Sequence, residues 1–175
     1  MPNWTTNIIN FESADEAQRI FSLMTVIEKV RAKDSNETIT KKRFTYETVM
    51  PSPKTKEECP EEYIIKADRH IEKLSDRPWF DWYAWNNDNW GVKWDACDAR
   101  LDEKCIKFYS PWGAPNNDVF QAIADKFDTT FFTEHWYEDG GWDVYEYHYS
   151  PKQYMVQIYS EQLNDSNTED ASEAD

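Results

Sequence analysis

The order of hydrophobic patterns along the chain predicts an α+β fold, with helices packed on one face of a mainly antiparallel sheet. Two stretches, 14–31 and 117–127, repeat apolar residues at helical spacing, and the segments around them alternate with the period of two that marks strands. A hairpin signal near the end, residues 130–138 and 142–149 joined through Asp139-Gly140-Gly141, adds the antiparallel character.

Residues 3–11 place Trp4, Thr6 and Ile8 on one alternation and Asn7, Ile9 and Phe11 on the other, so this first strand is expected to be covered on much of both faces. Ser13-Ala14-Asp15-Glu16 reads as a capping box, in which a Ser hydroxyl and a Glu three residues later satisfy the free amides of a helix start. The helix that follows turns Ala17, Ile20, Phe21, Met24 and Ile27 toward the sheet and is expected to run to about Arg31. A polar loop at 33–37 leads to a second strand over 44–50, stopped by Pro51 and Pro53, which lack the amide that a ladder needs.

Pro60 is expected to open a helix with Tyr63, Ala67, Ile71 and Leu74 on one face, and residues 79–85 to add a short helical turn after Pro78. Residues 51–90 thus read as a Trp-rich helical insertion. Residues 93–101 and 104–110 form a hairpin about Asp102-Glu103, which sets Cys97 opposite Phe108 and turns Cys105 to the other face. The helix at 117–127, with Val119, Phe120, Ile123, Ala124 and Phe127 inward and Asn116 or Asn117 as its cap, precedes the last hairpin. A strand over 154–159 completes one domain, 1–160, and residues 161–175 form an acidic tail too poor in apolar groups to fold alone.

Composition narrows the function. Thirty-four acidic against nineteen basic residues give a net charge of −15, which repels phosphates and anionic lipid and favours basic partners, so direct nucleic-acid binding is disfavoured. Nine Trp, nine Phe and ten Tyr must supply much of the buried area. Cys59, Cys97 and Cys105 lack close metal-ligand spacing and suit free thiols in a reducing, cytoplasmic compartment. No apolar run reaches the length of a membrane span, and the first residues lack the pattern of a secretion signal.

Several stretches read together: Met1-Pro2-Asn3-Trp4-Thr5-Thr6-Asn7, residues 44–53 ending Met50-Pro51-Ser52-Pro53, Asn89-Trp90-Gly91-Val92-Lys93-Trp94, Tyr109-Ser110-Pro111-Trp112-Gly113-Ala114-Pro115, and Tyr137-Glu138-Asp139-Gly140-Gly141. Over roughly residues 1–150 the chain resembles the YubB-type ferredoxin-like family encoded by phages and plasmids, most specifically at the Asn-Trp-Gly-x-Lys-Trp core. The resemblance implies a ferredoxin-like sandwich and a mobile-element origin, and it carries no settled activity. Thr5 stands where a cysteine is common in that family.

Three groups are candidate sites. The final hairpin sets Glu134, Glu138, Asp139, Asp143 and Glu146 among Trp136, Tyr137 and Trp142, with no Lys or Arg between Lys126 and Lys152. Such rings anchor interfaces while an acidic rim steers a basic partner, although the same residues also serve as a core face and a solvated edge. Asn89, Trp90, Gly91, Lys93 and Trp94 form a corner that either recognises a planar ligand or simply packs, with Trp94 in the core. His135, Glu146 and His148 share a face, as weak metal candidates, only if the hairpin turn holds an even number of residues.

No phosphate-cradling glycine loop or nucleophile elbow occurs, and no catalytic residue or cofactor is assigned. The expected role is that of an accessory protein of the anti-CRISPR or anti-restriction type. Its phosphate-mimicking acidic surface would block a basic host protein, such as a defence nuclease. The alternative is a small metal-dependent or small-molecule-binding enzyme.

Overall fold

The computed structural model describes residues 3–31, 38–65, 77–137 and 142–163, with backbone alone at Arg31, 142–145 and 154–163. Eight strands and three helices follow in the order β1 (Trp4–Phe11), α1 (Ala14–Met24), β2 (Thr25–Arg31), β3 (Thr38–Phe44), α2 (Trp82–Trp90), β4 (Cys97–Asp102), β5 (Cys105–Pro111), α3 (Asn117–Phe127), β6 (Phe131–Tyr137), β7 (Trp142–Ser150) and β8 (Gln153–Leu163). Six strands form one antiparallel sheet in the order β4-β5-β1-β6-β7-β8, and β2 and β3 form a separate two-stranded arm. The fold is thus mixed α+β, as the pattern predicts. None of the described helices is long and apolar enough to cross a membrane.

One face of the large sheet is sealed and the other stays open. Thr5, Asn7, Ile9 and Phe11 of β1 are buried while Trp4, Thr6, Ile8 and Asn10 are half-buried, and β5 and β6 repeat this alternation. The sealed side joins Ile9, Ile106, Phe108 and Phe131 to Ala17, Ile20 and Met24 of α1 and to Val119, Phe120 and Ile123 of α3 in one cluster. The expectation that much of both faces of β1 is covered therefore holds fully on one face and by half on the other.

Helix α1 starts at the expected place with half of its capping box, Ser13 Oγ accepting from the Glu16 amide at 3.2 Å while the Glu16 carboxylate pairs with Arg19, but it stops at Met24 rather than near Arg31. The run Thr25-Val26-Ile27 is β-branched at three successive positions, which crowds a helix and suits a strand, and Thr25 Oγ1 donates back to the Phe21 carbonyl at 2.6 Å. Ile27, expected to face the core, is 68% exposed on β2. The strand expected over 44–50 lies earlier, at β3, because Thr45 caps a 3-10 turn, Tyr46–Thr48, by accepting from the Glu47 amide.

In the insertion, Pro60 begins only a 3-10 turn, Glu61–Tyr63, after which Ile64 bridges to Phe80. Ala67, Ile71 and Leu74 of the expected helix lie outside the described residues. Helix α2 runs over Trp82–Trp90 instead of 79–85, since Asp81 Oδ1 accepts from the Ala84 amide at its start and Gly91 takes a left-handed conformation at its end. The β4–β5 turn falls on Glu103-Lys104, and a bulge after Cys97, with Asp98 at φ 49°, sets Cys97 opposite Tyr109 rather than Phe108. Cys97, opposite Tyr109, therefore lies on the same face as Cys105 rather than the other one, and all three cysteines are free. Helix α3 has the expected bounds, and β8 extends to Leu163, so Glu161 and Gln162 belong to the sheet rather than the tail.

Gly91 has φ +75°, and a Cβ there would stand 2.2 Å from Asn116 Oδ1 and 2.9 Å from the Asn116 amide nitrogen. Gly91→Ala is therefore expected to destabilise the fold by about 2 kcal/mol, combining left-handed strain with displacement of a side chain that donates to the Asp88 and Asn89 carbonyls. A urea midpoint unchanged from the parent protein would overturn this.

Candidate interaction surface

Charge is graded across the molecule. The arm strands β2 and β3 carry Lys29, Arg31, Lys41, Lys42 and Arg43 against Glu28 alone. Strands β4, β5 and β1 balance Arg100 and Lys107 against Asp98 and Asp102, whereas β6, β7 and β8 hold Glu134, Asp143, Glu146 and Glu161 with no Lys or Arg. Because β3 lies against β4 and β8 is the opposite edge of the sheet, positive and negative ends lie about five strand spacings apart, roughly 24 Å.

Within the acidic half, register decides what is presented. Glu134 stands directly opposite Glu146 across β6 and β7, on the open face with Phe132, Trp136 and His148. Asn10 Nδ2 donates to Glu134 at 2.9 Å, His148 Nε2 lies 2.6 Å from Glu146, and the His148 ring stacks on Phe132 with centroids 5.4 Å apart. Tyr137 belongs to the other alternation. Glu138 and Asp139 lie outside the described residues, and Trp142 and Asp143 are placed by their backbone only.

The same register separates the three metal candidates. Trp136 pairs with Val144 and His135 with Tyr145, so the connection holds an odd number of residues, and His135 falls on the sealed face while Glu146 and His148 fall on the open one. Among the described residues no group of three His, Cys, Asp or Glu side chains could hold a metal ion. His135 instead belongs to a buried polar chain. Thr133 Oγ1 lies 3.1 Å from His135 Nε2, His135 Nδ1 lies 2.8 Å from Asn7 Oδ1, Asn7 Nδ2 donates to Ser110 Oγ at 2.7 Å, and Ser110 Oγ donates to the Gly113 carbonyl at 2.5 Å. Asn7 Oδ1 only accepts, so the ring carries its proton on Nδ1 and takes the Thr133 hydroxyl on Nε2.

The Asn-Trp-Gly-x-Lys-Trp corner divides into a packed half and an exposed half. Trp90 is buried, edge-on to Tyr46 and Trp85, and its Nε1 donates to the Met50 carbonyl at 3.0 Å. Asn89 Nδ2 donates to the Trp85 carbonyl at 2.9 Å and closes the last turn of α2. Trp94, expected in the core, is 38% exposed, and with Tyr83 and Trp112 it surrounds the Lys93 ammonium, which lies 4.7 Å from the Trp94 ring, 5.5 Å from Trp112 and 5.6 Å from Tyr83. No local spacing links Tyr83 and Trp112 to Lys93, because only the fold brings the turn after β5 and a helix in the insertion to that side chain. Trp112 adopts φ 62°, an uncommon conformation for a bulky residue.

An open groove of about 290 Å³ lies nearby, lined by Trp4, Cys97, Asp98 and Tyr109. Burial, reinforced by Asp98 and Asp95, pushes the Cys97 thiol up, and burial does the same for Cys59 and Cys105. All three are therefore poor nucleophiles at neutral pH.

Burial lowers the His135 pKa to about 4. The unfolded chain, near 6.5, binds this proton first, so the contribution is complete above about pH 6.5, falls as pH drops, and is lost below about pH 4, a total of about 3 kcal/mol. His135→Gln, which retains a donor and an acceptor, is expected to flatten this part of the stability profile at a neutral-pH cost of about 1–2 kcal/mol, as read by urea unfolding at pH 7 and pH 5. Equal pH dependence in variant and parent would exclude His135 as its source. Comparison of the chain with protein-family models, curated proteins and solved structures finds no match.

Proposed function

We propose that the chain is a ferredoxin-like accessory protein of the YubB type, encoded by a phage or plasmid. In the host cytoplasm it binds and inhibits a basic nucleic-acid-handling protein, such as a defence nuclease. The observation that carries this reading is the segregation of charge: four acids and no Lys or Arg on β6, β7 and β8, beside the half-buried rings of Phe132 and Trp136. A fixed group of carboxylates competes with phosphates for a cationic groove without reading any base. The succession β1-α1-β4-β5-α3-β6 with the spatial order β4-β5-β1-β6 supports the ferredoxin-like part, since it is the split βαβ arrangement extended by β7 and β8.

A second reading rests on the exposed ring group about Lys93, whose stacking surfaces and ammonium suit a planar or sugar-like ligand bearing a negative group. On that reading the chain is a small-molecule-binding protein or enzyme.

The two are separated by competition. Host proteins retained on the immobilised chain should be displaced by excess duplex DNA. They should be lost at least tenfold when Glu134, Glu146 and Glu161 are changed to Gln and Asp143 to Asn. Capture that survives both treatments, or that depends on Trp94 and Trp112 instead, would overturn phosphate mimicry by this half of the sheet.

A further inference from the structure

We infer that the β2–β3 arm of one copy docks on the β6–β8 half of another, so that the chain associates with itself head to tail through opposite charges. The arm has the properties of an unfilled contact. Phe44, at its base, is buried, Arg43 is half-buried, and Thr38 to Lys42 are exposed, so β3 leaves the body progressively toward its tip. Register sets Ile27 opposite Lys42 and Lys29 opposite Thr40, and these four side chains are all exposed. Among the described residues no carboxylate pairs with Lys29 or Lys42.

Glu28, the one acid on the arm's two strands, is held by Arg43 at 2.6 Å on the other face, so it does not offset the cations on this one. A two-stranded sheet by itself is marginally stable in water, and Ile27 and Ile39 stay 68% and 47% exposed. Neither edge of this sheet, nor the outer edge of β8, has a hydrogen-bonded strand neighbour among the described residues, although the base of β3 lies against β4. Such edges favour apposition of another chain.

The occupant follows from where charge lies. The arm is positive and β6–β8 are negative, yet within one molecule the arm lies beside β4, three to five strand spacings or roughly 14–24 Å from β6–β8, so a second copy is needed to bring them together. The net charge of −15 opposes approach, but salt screens it beyond a Debye length of about 8 Å, whereas the arm contact forms inside that distance. A nucleic acid fits less well, since it presents negative charge along its whole length to a negative body. The contact uses two different surfaces, so every dimer leaves one arm and one acidic edge free and growth continues until a ring closes.

This inference is independent of the proposed host target, because it is tested on the purified chain alone. Sedimentation velocity at about 0.1 M salt should show mass rising beyond the dimer with concentration and falling to the monomer at about 1 M salt. A Lys29→Gln, Lys42→Gln arm variant and a Glu146→Gln, Glu161→Gln edge variant should each be monomeric. Mixed one to one, they should form a heterodimer that grows no further, since one supplies an intact edge and the other an intact arm. Circular dichroism of each variant establishes that it is folded, and a parent chain that stays monomeric at about 0.2 mM overturns the inference. A mixture that stays monomeric does the same, as does arm-dependent binding of a fluorescent DNA or RNA oligonucleotide, which would assign the arm to nucleic acid.

Discussion

The hydrogen bond between Asn7 and His135 belongs to a polar chain that ties three strands of the sheet together. Asn7 sits on the central strand and reaches both ways, to His135 on β6 and to Ser110 on β5, with all three side chains buried. A slip of one residue in either pairing would turn these groups to the wrong face and leave buried donors and acceptors unmatched, at about 1–3 kcal/mol each. The polar chain therefore specifies register across three strands at once. Through β6 it also decides that Glu134, Glu146 and His148 emerge on the open side.

A second constraint attaches the arm. The Asp95 carboxylate pairs with Arg43 of β3 and accepts from the Tyr46 amide at 2.9 Å and the Ala96 amide at 3.0 Å, while Phe44 stacks between Phe21 and Phe108. One cation is thus spent on anchorage, and the exposed lysines beyond it remain available. Anchored beside β4, the arm lies too far from β8 for direct charge pairing to pull the two ends together, because such attraction is screened within about 8 Å in physiological salt. The charge gradient is consequently compatible with a stable fold of the single chain.

How much of this was legible in the sequence depends on how local the determining contacts are. Helix α3 and the start of α1 were readable because caps and apolar spacing lie within a few residues, and the final hairpin was readable from its alternation and glycines. The end of α1 was not: Ile27 continues the helical spacing of Ile20 and Met24, and only the pairing of β2 with β3, some fifteen residues away, makes it a strand. The parity of the final turn was equally hidden, since Asp139-Gly140-Gly141 accommodates several loop lengths, and it alone separates His135 from Glu146 and His148. The ring group at Lys93 joins residues about 10 and 20 positions to either side, which no local pattern connects.

The open face carries a feature that stability does not explain. Glu134 and Glu146 stand directly opposite on adjacent strands, an arrangement that repulsion disfavours and that two threonines would replace at a gain. Asn10 and His148 relieve part of that cost by hydrogen bonding to the two carboxylates, and Phe132 holds the His148 ring in place by stacking. Side chains that compensate a repulsive pair without removing it leave two adjacent negative charges fixed in position and partly desolvated. A basic partner meeting that pair gains from both carboxylates and from repulsion already present in the free protein, so the surface is worth more in a complex than its charge count alone implies.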